Sequence, residues 1–412
     1  MTIRVFFEPI YRMTGSGNVA IAAFVLFQIG MMALAFSYMM ISLHKGGMRD
    51  AVLISFIVLR AIMPYHIGMS CAVEKDTMWA VFVSIFATAL YRRINHLDKS
   101  DKLSTLIYGI GVMGTSLYRS NGTFVVAILL LVMFLWLLGK RKDRVLGATV
   151  KATFVFLLLS LLMNRAYLSY KNIPQPDTVE SLSIPLQQIG RVLFDKRELN
   201  EQEEEFLELI VSTDAIREVY NSSSSDNIKN LIRREGNQEY LSDHMGDFIK
   251  LWMHLGLRYP YNYLKAWVDE TRGYWAPSGY YSIWDIGISE RVDLIQYGIY
   301  NTTKNQSAMR LWEKWNELIA LNKIPFFEII LSCGIRFWSL LFMALWMFRN
   351  NDKNALLAVI PALIVFSLWI ATPTSNMFRY VYAVYAMFPV AVMSVCSSKN
   401  DTKTPSPSVI VG

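Results

Sequence analysis

Nine apolar runs divide this chain, and their length constrains its fold more than any other feature. A helix needs about 20 mainly apolar residues to cross the hydrocarbon core of a bilayer. Runs that approach or reach that length cover Val19–Leu43, Ala51–Val73, Thr77–Tyr91, Leu103–Tyr118, Thr123–Leu138 and Val145–Met163. Three more follow at Phe326–Phe348, Ala355–Ile370 and Arg379–Val395, and Pro64 interrupts the second run. Charged residues make up 18% of the 412, against about 25% in soluble domains, so lipid is expected to be part of the solvent. The expected fold class is all-α and integral to a membrane, with about nine transmembrane helices and a mainly helical extracytoplasmic domain.

Arg and Lys concentrate in the connections 44–50, 92–102, 140–144 and 349–354. Alternating spans put all four on one side, and the positive-inside rule makes that side the cytoplasm. The net charge of +7 is therefore read as an orientation signal, with no nucleic acid as partner. The connections 74–76, 119–122 and 371–378 fall on the opposite side, with the long polar region 165–324. The expected organisation is an extracytoplasmic segment 1–18, about six membrane helices in 19–164, an extracytoplasmic helical domain 165–324, about three membrane helices in 325–396, and a disordered cytoplasmic tail 397–412. The expected location is the plasma membrane. The opening residues do not read as a signal peptide, because no short apolar stretch ends in a small-residue cleavage site. With no earlier helix to carry residues 1–18 outward, an upstream helix and loop are expected to precede this chain.

Within 165–324, NEQEEEFLELI offers Asn200 as N-cap with Glu203 three residues on, the pattern of a capping box. Phe206, Leu207 and Ile210 follow at helical spacing. Phe248, Leu251, Trp252 and Leu255 form a second stripe that ends before Tyr259-Pro260, and Tyr263, Ala266 and Trp267 mark a third. SSSSD at 222–226 reads as a loop. These aromatic stripes are first of all packing surfaces; a carbohydrate-binding face is the alternative. Cys71, Cys333 and Cys396 lie far apart in or beside apolar runs and read as buried small hydrophobes.

Charge inside the apolar runs is the sharpest chemical signal. An Arg at the centre of a membrane helix costs roughly 2.5–3.5 kcal/mol on insertion scales, so it usually faces a cavity or a partner. Arg60, four residues before Pro64, and Arg336 are such residues. More polar groups collect where the expected outer ends lie: His66, Glu74, Lys75 and Asp76, then Arg119 and Asn121, then Asn376 and Arg379. Guanidinium and ammonium groups bind phosphate, Arg in bidentate fashion. A carboxylate beside them could act as general base on a hydroxyl. EKD at 74–76 also reads as a plain acidic bias at a helix start, and Asn121-Gly122 as a turn pair. NGT at 121–123, NSS at 221–223 and NTT at 301–303 match a glycosylation sequon, a pattern common by chance. No metal site is indicated, and His66 alone makes none.

Several stretches carry a resemblance: MPYHIGMSCAVEKDTMWAVF (63–82), YRSNGTF (118–124), PLQQIGRVLF (185–194), residues 220–229, WMHLGLRYPYNYLKAW (252–267), GYWAP (273–277) and FRYVYAVY (378–385). In these the chain resembles a family of uncharacterised multi-pass membrane proteins from Gram-positive bacteria. Their membrane core is similar to that of the GT-C glycosyltransferases. The resemblance covers most of 20–390 and implies an inverting transferase that uses a polyprenyl-phosphate sugar donor at the outer face. GT-C enzymes usually carry a catalytic Asp or Glu in the loop after the first helix. Glu8 is the sole acid before the first apolar run here, and the role does not transfer to it.

The reading that follows is a GT-C-like membrane glycosyltransferase that modifies an envelope glycan or lipid. Lys75, Arg119, Asn121, Arg379, Arg60 and Arg336 are its expected donor-binding residues. Asp76 and Glu74 are its candidate carboxylates, able to take a divalent cation, and the large domain is expected to cover the site and bind acceptor. Two alternatives stay open: a polymerase or ligase of envelope polysaccharide, and a non-enzymatic flippase or transporter of lipid-linked glycans.

Overall fold

A computed structural model of the chain describes residues 2–98, 102–139, 143–171, 177–277, 292–300, 305–320, 330–372, 374–375 and 377–398. These residues are helical wherever they are regular, and two isolated bridges, Asn221 with Ser224 and Ser224 with Thr374, are the β pairing among them. The opening residues form α1 (Thr2–Thr14), which packs on α2 (Gly17–Lys45) with the Phe6 and Phe27 ring centroids 4.3 Å apart. Ser16 N-caps α2 by accepting from the Val19 amide.

The apolar runs then appear as α3 (Asp50–Ile62), α4 (Pro64–Cys71), α5 (Lys75–Ile94), α6 (Lys102–Tyr118), α7 (Ser120–Gly139) and α8 (Arg144–Tyr170). Of these and the later helices, α2, α7 and α8 are each long and apolar enough to cross a membrane. A fourth crossing exists if α3 and α4 act as one broken span, bent by 59° where Pro64 begins the second piece. Among the described residues, length and apolarity thus pick out three or four of the nine crossings expected from the sequence. The reason lies in packing. Helix α5 is buried along nearly its whole length by α2, α6 and the last helix, so it needs no apolar outer face. Helix α6 is 17 residues long and rests in the same crowd. There Gly111 lets its backbone approach α5, since a Cβ would stand 2.7 Å from the Phe86 backbone.

Among its described residues up to 277, the polar region holds a 3-10 turn at Thr178–Leu182 and seven helices: α9 (Ser183–Phe194), α10 (Glu201–Ile210), α11 (Thr213–Val219), α12 (Asp226–Glu235), α13 (Gln238–Asp243), α14 (Met245–Arg258) and α15 (Pro260–Trp275). The capping box at Asn200 and Glu203 is present. The stripes bury as their spacing predicts: Leu207 and Ile210 on α10, Phe248, Leu251 and Leu255 on α14, and Tyr263 and Ala266 on α15. They build a core separate from that of the membrane bundle. Helix α15 belongs to both, with Tyr263 in the upper core and Tyr274 in the bundle core.

Two further pieces, α16 (Val292–Ile295) and α17 (Gln306–Ala320), precede α18 (Cys333–Arg349), α19 (Ala355–Ala371) and α20 (Phe378–Ser398). The bundle has two chemically distinct ends. At one, Lys353 pairs with Asp143 at 3.0 Å and the Asn95 and Asn354 side chains bond each other, which joins three of the basic connections. At the other, the upper domain sits on the bundle. There the Trp267 indole donates to the Trp369 carbonyl at 2.9 Å and the Ser375 amide donates to the Ser223 carbonyl at 2.7 Å. The NTT sequon at 301–303, Asn376 and the tail 399–412 lie outside the described residues.

Candidate functional site

The candidate residues divide into two neighbouring groups, both built against α20. The first lies where the domain meets the bundle. Asp76 stands in the first turn of α5 and is 1% exposed. Arg119, from the break between α6 and α7, meets it with Nη1 2.8 Å from Oδ1. Arg379 approaches from the first turn of α20, with Nε 3.9 Å from Asp76 Oδ2. The same guanidinium donates from Nη1 to Glu74 Oε1 at 3.0 Å. Two acids and two guanidiniums from three separate stretches therefore face one another.

The surroundings explain how this charge is held. Arg119 packs over the rings of Trp79 and Tyr380, 5.3 and 4.5 Å from their centroids, and such faces attract cations. Trp79 is fixed by donating to the Thr115 carbonyl at 3.0 Å. Gly122 permits the fit, because a Cβ there would stand 1.8 Å from the Thr115 carbonyl oxygen and 2.7 Å from Trp79 Nε1. Burial pushes the Glu74 carboxyl above the ordinary glutamate range, and the Arg379 charge opposes the rise. A carboxyl poised upward in this way is suited to accept a proton from a hydroxyl.

The second group lies one to two turns further along α20, at the α3–α4 break. A cavity of about 310 Å³ opens there, bounded by α3, α4, α18 and α20. Arg60 and Arg336 both line it, with Tyr65, His66 and Tyr385. The Arg336 guanidinium lies 4.1 Å from the Tyr385 ring centroid and 5.0 Å from that of Phe388. It also donates to the Ser332 carbonyl at 3.2 Å. Arg60 lies 4.4 Å over the Phe36 ring. His66 Nδ1 and the Tyr382 hydroxyl are 3.1 Å apart. Among the described residues no carboxylate forms an ion pair with either arginine. The cavity therefore combines apolar walls with two positive charges, the composition suited to a lipid that carries an anionic head.

The remaining candidates fall outside these groups. Asn121 donates to the Ser367 hydroxyl at 3.2 Å and ties α7 to α19, a structural use. Lys75 is exposed beside Asp76 in the chain. Among the described residues no group of three His, Cys, Asp or Glu side chains could hold a metal ion. The rings that frame the arginines, Tyr380, Tyr385 and Phe388, were not singled out from the sequence for this role. For the two tyrosines the signal was the aromatic repeat in FRYVYAVY, which reads equally as packing.

No curated protein and no solved structure matches this chain. A family profile does match, over residues 6–408, and its description is a family of unknown function, DUF6020. The chain is therefore a member of the DUF6020 family.

Proposed function

We propose that this chain is a membrane-embedded glycosyltransferase of GT-C type, with the full set of nine crossings and the helical domain on the outer face. Its donor would be a sugar linked through phosphate to a polyprenyl lipid, and its acceptor an envelope glycan or lipid. The observation that carries this reading is the convergence of Asp76, Glu74, Arg119 and Arg379 beside an apolar cavity lined by Arg60 and Arg336. The isoprene units next to the phosphate would occupy the apolar cavity, with the phosphate held by Arg60 and Arg336. The sugar would then extend toward Asp76 and Glu74.

In the transfer step an acceptor hydroxyl oxygen attacks the anomeric carbon. A new carbon–oxygen bond forms as the bond from that carbon to the phosphate oxygen breaks. The electron pair leaves with the phosphate, where the guanidinium charges stabilise it. The hydroxyl proton passes to a carboxylate, and Glu74 or Asp76 would take it.

The test is transfer of radiolabelled sugar from polyprenyl phosphate in membranes carrying the protein. Asp76→Asn keeps the shape of the side chain and removes its charge. Incorporation is expected to fall by at least about a hundred-fold, the scale of a lost general base. Undiminished incorporation in the Asp76→Asn and Glu74→Gln variants would sink the proposal.

A further inference from the structure

A further concavity lies in the upper domain, away from both arginine groups. It is an open cleft of about 780 Å³ between α9, the end of α11 and α12. This is the size range of small-ligand sites. We infer that this cleft is a binding site for an uncharged oligosaccharide.

Three features of its lining carry the assignment. The first is an aromatic platform. Phe194 is 50% exposed despite its size, and its ring lies 5.0 Å from that of Tyr220 at 34°. A pyranose presents a face of C–H groups that packs on such rings, which carry negative charge on their faces. The second feature is a row of amides. Asn227 and Asn230 stand three residues apart on α12, and Asn221 lies across the loop. Each is fixed at one end: Asn227 donates to the Val219 carbonyl at 3.1 Å, Asn221 accepts from the Ser223 amide at 2.9 Å, and Asn230 accepts from Arg233 at 3.5 Å. An amide held at one end can offer the other as donor or acceptor. Vicinal hydroxyls need both kinds of partner at close intervals.

The third feature is charge balance. Arg191 and Arg234 line the cleft, and so do Glu218 and Glu235. Arg191 is already engaged by Asp195 at 2.7 Å and by Asp269 at 3.3 Å. With Arg191 so engaged, Arg234 stands against Glu218 and Glu235, and no surplus of positive charge invites an anion. A peptide would be expected to find a sheet edge or an apolar groove. This cleft has neither a strand nor a continuous apolar wall.

The cleft also has a physical connection to the membrane site. Tyr220, Asn221 and Ser222 form its wall, and the next residues, Ser223 and Ser224, hold the loop before α20. The Ser375 amide and the Thr374 hydroxyl both donate to the Ser223 carbonyl, at 2.7 and 3.2 Å. Arg379 follows four residues after Ser375. A saccharide in the cleft would therefore lie beside the stretch that holds the loop leading to Arg379, the partner of Glu74. Its role as acceptor rests on the glycosyl-transfer reading; its binding does not.

Saturation-transfer NMR on the purified full chain in detergent tests the assignment, with maltotetraose and chitotetraose as probes. Transfer to ring C–H protons of at least one probe is expected. Phe194→Leu and Asn230→Ala, both at exposed positions, should each weaken binding by about ten-fold with unchanged melting temperature. Absence of transfer to both probes overturns the assignment. So does binding indifferent to the two variants, or displacement of the saccharide by tetra-alanine. Asp76→Asn should leave probe binding intact. Loss of sugar incorporation with binding retained in that variant supports both readings. Binding retained with incorporation undiminished removes the transferase reading and leaves the cleft standing.

Discussion

Arg119 and Arg379 meet carboxylates, whereas Arg60 and Arg336 meet aromatic rings and a backbone carbonyl. All four lie at least partly buried in the same bundle. The first pair is neutralised from within the protein, and the second leaves its charge facing a cavity. The difference teaches what each is fitted for. A guanidinium that already answers a buried carboxylate is an orienting group, and its removal strands the acid. A guanidinium held by rings keeps its charge available for an anion that arrives from outside.

The largest effect should come from breaking the first arrangement. Arg119→Ala would leave the Asp76 carboxylate without its nearest partner in a site that is 1% exposed. Loss of one member of a buried pair costs about 3–5 kcal/mol. A thermal melt of the solubilised protein should show a marked fall, and a second change, Asp76→Asn, should recover much of it. A melt unchanged by Arg119→Ala would mean that the pair is not a stabilising unit.

A smaller effect on stability and a larger one on binding should follow in the second arrangement. Arg336→Met keeps an unbranched stem among Tyr385 and Phe388 and removes the guanidinium. The fold should lose less than it does in Arg119→Ala, because no buried carboxylate is left without its partner. Retention of a phosphate-bearing polyprenyl lipid should drop by about ten-fold or more, a loss of one charge-assisted contact. If Arg336→Met unfolds the protein as badly as Arg119→Ala, the contrast between the two pairs collapses.

Glu270 sharpens the comparison by a third solution, which is to shed the charge. It is fully buried in α15 against Ser225 and near Lys229, and burial pushes its carboxyl up to about 8. The folded chain thus keeps a proton that the unfolded chain releases near 4.5. The stability tied to this group is complete below that value, declines as pH climbs toward about 8, and is level beyond. Glu270→Gln should flatten that slope, so melting temperatures at pH 5 and 8 should differ by a few degrees less than in the parent. Identical slopes would mean that the carboxyl ionises freely where it stands.

Much of the helical layout was legible in the sequence, because apolar length and capping residues act locally. The runs at α2, α7 and α8, the break at Pro64 and the box at Asn200 all follow from neighbours within a few residues. Helix α5 was legible as a helix but not as a central one, since its burial depends on α2, α6 and α20 folding around it. The candidate cations were legible one at a time from their unlikely positions. Their pairing was not, because Glu74 and Arg379 meet across 305 residues and nothing in either segment encodes the other. The bond from Asn121 to Ser367 was illegible for the same reason, the two being 246 residues apart. The cleft escaped notice because it is made by the placement of ordinary surface residues such as Asn230 and Arg234.

Helix α15 contributes Tyr263 to one core and Tyr274 to the other, eleven residues apart on a single rod. Neither core can melt without tearing half of that rod from its neighbours, and the half that remains would be a short helix of marginal stability on its own. Domain and bundle are consequently bound into one cooperative transition. A lesion in the upper helices should reach the membrane helices as lost protein abundance long before any chemistry is measured.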